Sequence, residues 1–142
     1  MNYVLVYWSR YGNGKKIVNT LAEKLKDKGN DIKILKTDDA NPSELPDADF
    51  YVFSAPTEAF NIQKNMRSFL KKMQAMDGKK CAVINTHGMK RDWLGKFEKL
   101  VTKKNMDIVA SIDFQMGKQV NDGNGLEGDW EEQLTVFAQK LP

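Results

Sequence analysis

Tyr3-Val4-Leu5-Val6-Tyr7-Trp8-Ser9-Arg10-Tyr11-Gly12-Asn13-Gly14-Lys15-Lys16-Ile17-Val18 is the stretch on which the fold turns. Its first six residues form an unbroken apolar run, short, β-branched and aromatic, which reads as a strand buried on both faces. A polar turn with two glycines follows. Then Ile17, Val18, Leu21, Ala22 and Leu25 recur at helical spacing on one face, and Gly29-Asn30 stops the helix. A fully buried strand that feeds a helix through a tight turn is the opening unit of a parallel sheet covered by helices.

The rest of the chain repeats that unit. Asp31 to Lys36 nearly alternates, as a half-exposed edge strand does. Asp39 to Asp47 is polar, contains Pro42 and Pro46, and holds at most a short helix. Phe50-Tyr51-Val52-Phe53 is the third strand, and Ile62, Met66, Phe69, Leu70 and Met73 mark a helix ended by Asp77-Gly78. Cys81 to Ile84 is the fourth strand, followed by a helical stripe of Trp93, Leu94, Phe97, Leu100 and Val101. Ile108 to Ile112 is the fifth strand, and Asn121 to Gly128 a glycine-rich loop. The last helix opens at Asp129, with Glu132 completing a capping box, and its stripe is Trp130, Leu134, Phe137, Ala138 and Leu141. Five βα units in one domain, residues 1–142, predict an α/β fold: a doubly wound five-stranded parallel sheet with right-handed crossovers. The partly polar second strand belongs at an edge, which gives the order 2-1-3-4-5. Ligands of such sheets bind at the carboxyl ends of the strands, near the switch point between strands 1 and 3. Functional residues are therefore expected just after Trp8, Phe53 and Asn85.

Composition narrows the function. Hydrophobic residues make up 41% and charged residues 29% of 142, a globular balance. No apolar run approaches the roughly 18 to 20 residues that span a bilayer. The N-terminus has neither a basic leader nor a small-residue cleavage site, so the expectation is a cytoplasmic protein without a signal peptide. One cysteine, Cys81, and one histidine, His87, leave no internal disulfide and no His/Cys metal cluster. The net charge of +3 is too small to argue for nucleic acid. Its distribution is uneven: Ile62 to Met106 holds 12 Lys/Arg against 3 Asp/Glu, a local +9.

The loop Ser9-Arg10-Tyr11-Gly12-Asn13-Gly14 has the chemistry of a phosphate cradle. Glycines and an asparagine turn the backbone so that N–H groups point inward, Ser9 and Tyr11 add hydroxyls, and the helix N-terminus adds free N–H groups and positive dipole charge. Arg10, Lys15 and Lys16 oppose that dipole unless an anion is bound. The spacing is neither G-x-x-x-x-G-K-[ST] nor G-x-G-x-x-G, so one phosphate is the natural guest. An ordinary strand-to-helix turn with solvated lysines is the alternative.

Here the sequence resembles the flavodoxin family, whose Ser/Thr-x-Thr-Gly-Asn-Thr loop holds the phosphate of flavin mononucleotide (FMN). Ser9, Tyr11, Gly12 and Asn13 match in position; Gly14 stands where a threonine is usual, and Arg10 or Lys15 is the candidate compensation. The resemblance covers nearly the whole chain, without the strand-5 insertion of long-chain members. It implies that the loop Pro56-Thr57-Glu58-Ala59-Phe60-Asn61 runs along the flavin ring, and that Thr86, His87 and Gly88 meet the pyrimidine edge. Phe60 either stacks on the ring or staples the next helix. Trp93 either flanks the ring or begins a helix core, the latter favoured. His87 reads as a solvated loop histidine, with a proton-coupled role as the alternative. Flavodoxins usually have a glycine in the third-strand loop, whose carbonyl turns toward the N5–H of the half-reduced flavin. None occurs between Pro56 and Asp77, and Asn61 is the residue best able to take a left-handed conformation there.

No nucleophile–base pair or carboxylate dyad stands out, so the cofactor supplies any redox chemistry. The resemblance implies an electron carrier between redox proteins. Lys64, Lys90 and Arg91 are expected near the flavin rim, in place of the acidic groups of many flavodoxins. The basic helices 62–73 and 93–101, on one face of the sheet, suggest an acidic redox partner, a ferredoxin or an oxidoreductase; a solvated lysine surface is the alternative. The competing functional reading is a flavodoxin-like FMN oxidoreductase acting on a quinone or porphyrinogen. A receiver domain shares the sheet order but needs acidic residues after strand 1, where Tyr7-Trp8-Ser9 offers none.

Overall fold

Side chains of β1 (Asn2–Tyr7) divide by parity between two cores: Tyr3, Leu5 and Tyr7 face one, Val4 and Val6 the other. All five are buried, as a central strand covered on both faces requires. The computed structural model describes residues 1–89 and 91–142. After β1 come α1 (Asn13–Asp27), β2 (Asp31–Lys36), β3 (Phe50–Glu58), β4 (Asn61–Ile62) and α2 (Lys64–Lys72). Then follow β5 (Lys80–His87), α3 (Trp93–Thr102), β6 (Asp107–Gln115) and α4 (Trp130–Gln139).

The five long strands are parallel in the order β2-β1-β3-β5-β6. That is the sequence-derived 2-1-3-4-5 arrangement, with the two-residue β4 added antiparallel to the end of β3. Helices α1 and α4 cover one face, through Ile17, Leu21, Leu25, Leu134 and Phe137. Helices α2 and α3 cover the other, through Met66, Leu70, Phe97 and Val101. Each fully buried Leu, Ile or Phe contributes about 1.5–3 kcal/mol of transfer free energy. No helix among the described residues is long and apolar enough to cross a membrane.

The second crossover holds only 3₁₀ turns at Thr37–Asp39 and Pro42–Glu44, as expected of a polar link that contains Pro42 and Pro46. Three details differ from expectation. Ile62 belongs to β4 rather than to the helix, because Gln63 caps α2 by accepting from the Met66 N–H. That helix ends at Lys72, well before Asp77-Gly78. The capping box at α4 is not formed: the Asp129 carboxylate accepts from Gln133 Nε2 at 2.8 Å instead.

Candidate functional site

The loop after β1 is shaped by one hydroxyl and one glycine. Ser9 Oγ accepts from the Gly12 N–H at 3.1 Å, and Gly12 takes φ 92°, a left-handed value that suits glycine. Helix α1 starts there with no side-chain cap and no acidic residue in its first turn. Its first N–H groups have no intrahelical acceptor, and the dipole's positive end is uncompensated.

Asn13 lies behind this loop, 5% exposed. Its Nδ2 donates to Val120 O at 2.8 Å and its Oδ1 accepts from Gly125 N–H at 2.9 Å. Tyr11 O accepts from Gly123 N–H at 2.7 Å. These bonds staple the segment after β6 against the first loop. A Cβ on Gly125 would lie 3.0 Å from Asn13 Nδ2 and 3.1 Å from Met116 Sδ, so a larger residue there would push on the staple.

The loop after β3 is a two-residue hairpin. Glu58 pairs with Asn61 and Thr57 with Ile62, while Ala59 (φ 48°) and Phe60 (φ 63°) turn the chain. Both left-handed positions are filled by residues that rarely adopt them, where hairpins ordinarily use Asn-Gly. Asn61, expected to be the left-handed residue, is instead extended in β4, its Oδ1 accepting from Ile62 N–H. Thr57 is held by buried Asn85, whose Nδ2 donates to Thr57 Oγ1 and to Ala55 O, both at 3.1 Å.

His87 is the largest departure. It is the last residue of β5 and 4% exposed, so it is not a solvated loop histidine. Its Nε2 lies 2.7 Å from Asp113 Oδ2 on β6, and its Nδ1 is buried without a partner. Leaving a buried polar atom unpaired costs roughly 1–3 kcal/mol. Asp113 carries no motif in the sequence; its side chain reaches His87 because β6 extends past Ile112 to Gln115 beside β5.

Across the opening, Arg10 forms a bidentate pair with Glu58: Nε to Oε2 at 2.7 Å and Nη2 to Oε1 at 2.8 Å. Glu58 thereby raises the pKa of the Arg10 guanidinium further, chiefly by hydrogen bonding. Arg10 is tied to the loop after β3 rather than free to replace the missing threonine hydroxyl at Gly14. Its guanidinium also lies over the Trp8 ring, at 4.9 Å.

These loops enclose a cavity of about 290 Å³ at the switch point between β1 and β3. Eleven expected residues line it: Ser9, Arg10, Tyr11, Asn13 and Gly14 from the first loop, Pro56, Thr57 and Glu58 from the second, Thr86, His87 and Gly88 from the third. Met116 and Val120 complete the wall. Neither was singled out, although a glycine-rich loop at the carboxyl end of the fifth strand was visible. Gly12, Ala59, Phe60, Asn61 and Trp93 do not line the cavity. Trp93 is 3% exposed and donates from Nε1 to Met89 O at 2.8 Å, which pins the loop after β5.

Phe60 stands out beside the mouth, 62% exposed, its ring 6.4 Å from that of Trp93. Arg91 sits 6.0 Å from both rings, and Lys96 Nζ donates to Phe60 O at 3.1 Å. Tyr11, Phe60 and Met89, one from each loop, are all large and exposed. Lys90, expected at this rim, lies outside the described residues. Lys64 faces a second, larger groove of about 640 Å³ between α2 and α3, together with Arg67, Lys71, Lys103 and Lys104 and no carboxylate.

The arrangement fits FMN. The bare α1 N-terminus with Ser9 and Tyr11 is suited to a single phosphate. The cavity offers a flat heterocycle a proline, hydroxyl groups and an unsatisfied imidazole nitrogen. Among the described residues no group of three or more His, Cys, Asp or Glu could hold a metal.

The comparisons with known proteins agree. The family model described as a flavodoxin domain matches residues 4–121. No curated protein matches the sequence. Among solved structures, flavodoxin 1 from Bacillus cereus in its oxidised form is similar at 16% identity and TM-score 0.80, covering 99% of this chain and 96% of that one. The two-electron reduced flavodoxin of Megasphaera elsdenii is similar at 17% identity and TM-score 0.76, covering 97% and 98%. Rubredoxin oxygen:oxidoreductase from Desulfovibrio gigas is similar at 19% identity and TM-score 0.80, but this chain spans only 35% of its length.

Proposed function

We propose an electron-carrier role for this chain, which belongs to the flavodoxin domain family of FMN-binding proteins. One observation carries the proposal. The loops after β1, β3 and β5 and an uncapped helix N-terminus converge on one cavity at the switch point of the sheet.

When bound, FMN would supply the chemistry of accepting and returning electrons. The protein's part is binding, orientation and exclusion of water. The N–H groups opening α1, with Ser9 and Tyr11, would hold the phosphate. Asn13 keeps the loop after β6 closed against that cradle through its bonds to Val120 and Gly125. Pro56 and Thr57, fixed by Asn85, form one wall for the ring, and Thr86 to Gly88 another. The Arg10–Glu58 pair braces the loop after β1 against the loop after β3. Phe60, exposed on the hairpin after β3, is available to cover the outer edge of the ring or to meet a partner, as are Tyr11 and Met89.

The partner we propose is an acidic redox protein that docks on the basic face. The groove of Lys64, Arg67, Lys71, Lys103 and Lys104 gives that face its charge. Complementary charge would speed encounter and make it sensitive to salt. The test is reconstitution with FMN followed by assay as a shuttle. Loaded protein is expected to pass electrons from a flavoprotein reductase to a protein acceptor, and not to turn over quinone or porphyrinogen by itself. Catalytic turnover of a quinone by the loaded protein would favour the oxidoreductase reading instead.

A further inference from the structure

We infer that His87, held by Asp113 in the cavity wall, is a redox-linked proton site: it binds a proton when electrons reach the flavin and releases it when they leave. This rests on the reading of the cavity as the FMN site.

The geometry is that of a built site. His87 is 4% exposed and lines the cavity. An ionised carboxylate only accepts, so Nε2 carries the hydrogen shared with Asp113 Oδ2 at 2.7 Å. Nδ1 is left as a bare acceptor, buried and without a partner. It can be satisfied in two ways. It accepts from an N–H of a cavity occupant, or it takes a proton and becomes a donor to an anionic one. A negative charge arriving in the same cavity favours the protonated imidazole over the neutral one.

The surroundings leave that role to His87. Asp113 is the charged group bonded to it and, with its side chain 45% exposed, remains in contact with water. The β6 residue paired with His87 is the uncharged Gln115. Across the cavity stand Tyr11 and the Arg10–Glu58 pair, whose charges offset each other. From α1 the wall receives only Asn13 and Gly14; Lys90 lies outside the described residues.

The balance closes as follows. Two electrons from an external low-potential donor, taken up by the cofactor with one proton from water, would bring one negative charge into the cavity. A second proton from water goes to His87 Nδ1. Two electrons and two protons enter, and the cavity gains no net charge. Reoxidation returns both protons to water.

The chain has one histidine, so its imidazole NMR signals need no assignment. The experiment titrates those signals in FMN-loaded protein, oxidised and dithionite-reduced. The expected result is a titration midpoint at least about one pH unit higher in the reduced protein, a tenfold tighter proton. As a second measurement, between those midpoints the potential of His87→Gln should fall with pH half as steeply as that of the native protein. The same midpoint in both redox states overturns the proton site while leaving the FMN reading intact. Protein that takes up no FMN overturns both.

Discussion

Cys81 and Tyr3 are the two side chains whose ionisation the fold alters most clearly. Burial pushes both up to about 12, from ordinary values near 9 and 10. The folded state therefore keeps protons that the unfolded chain loses, and their contribution to stability is whole below about pH 9 and drains away as pH rises toward 12. The melting temperature should fall through that window, and less steeply in Cys81→Ala. At pH 8 the native thiol should ignore a disulfide reagent that titrates one thiol per chain after unfolding; rapid native reaction would contradict the burial. Asn13 carries a second prediction. Asn13→Ala removes both bonds to the loop after β6 and should cost about 1–3 kcal/mol, read by urea unfolding, with weaker FMN uptake. Single residues were also where the sequence was hardest to read. Ser9, Gly12 and Asn13 announced a turn because their chemistry is local. His87 was misjudged because its partner is 26 positions away on a neighbouring strand, and nothing within one loop signals that pairing.

The elements were more legible than their junctions. Strands read as apolar runs and helices as stripes because burial follows a fixed period, and the parallel order followed from one polar strand at an edge. What failed was the β3–β4 hairpin, where Ile62 was assigned to a helix. Its turn contains no glycine or proline, so no local punctuation marked it. Ala59 and Phe60 hold left-handed conformations that cost about 1–2 kcal/mol each. Replacing them by Asn-Gly should relieve that cost and raise stability by about 1 kcal/mol, measured by denaturant unfolding. The same change removes the exposed Phe60 ring and should weaken flavin binding. A variant that is both more stable and unchanged in flavin affinity would leave Phe60 without a role at the cofactor.

At the scale of the molecule, charge and cavity are segregated. Helices α2 and α3 gather cations on one face, and the cavity opens at the carboxyl edge of the sheet. On the proposed docking, electron transfer to an acidic partner should slow as ionic strength rises past physiological levels, where the screening length is about 8 Å. Charge reversal at Lys64, Lys71 and Lys103 should slow it further without altering FMN affinity. Rates indifferent to both would remove the docking face from the account. The central claim is narrower: the uncapped start of α1 recognises the phosphate of a flavin. Comparing the binding of FMN and riboflavin by the apoprotein, through quenching of flavin fluorescence, tests it most directly. The account predicts tight FMN binding and riboflavin at least about a hundredfold weaker, the equivalent of about 2.7 kcal/mol from the phosphate; equal affinity for the two, or none for either, would contradict it.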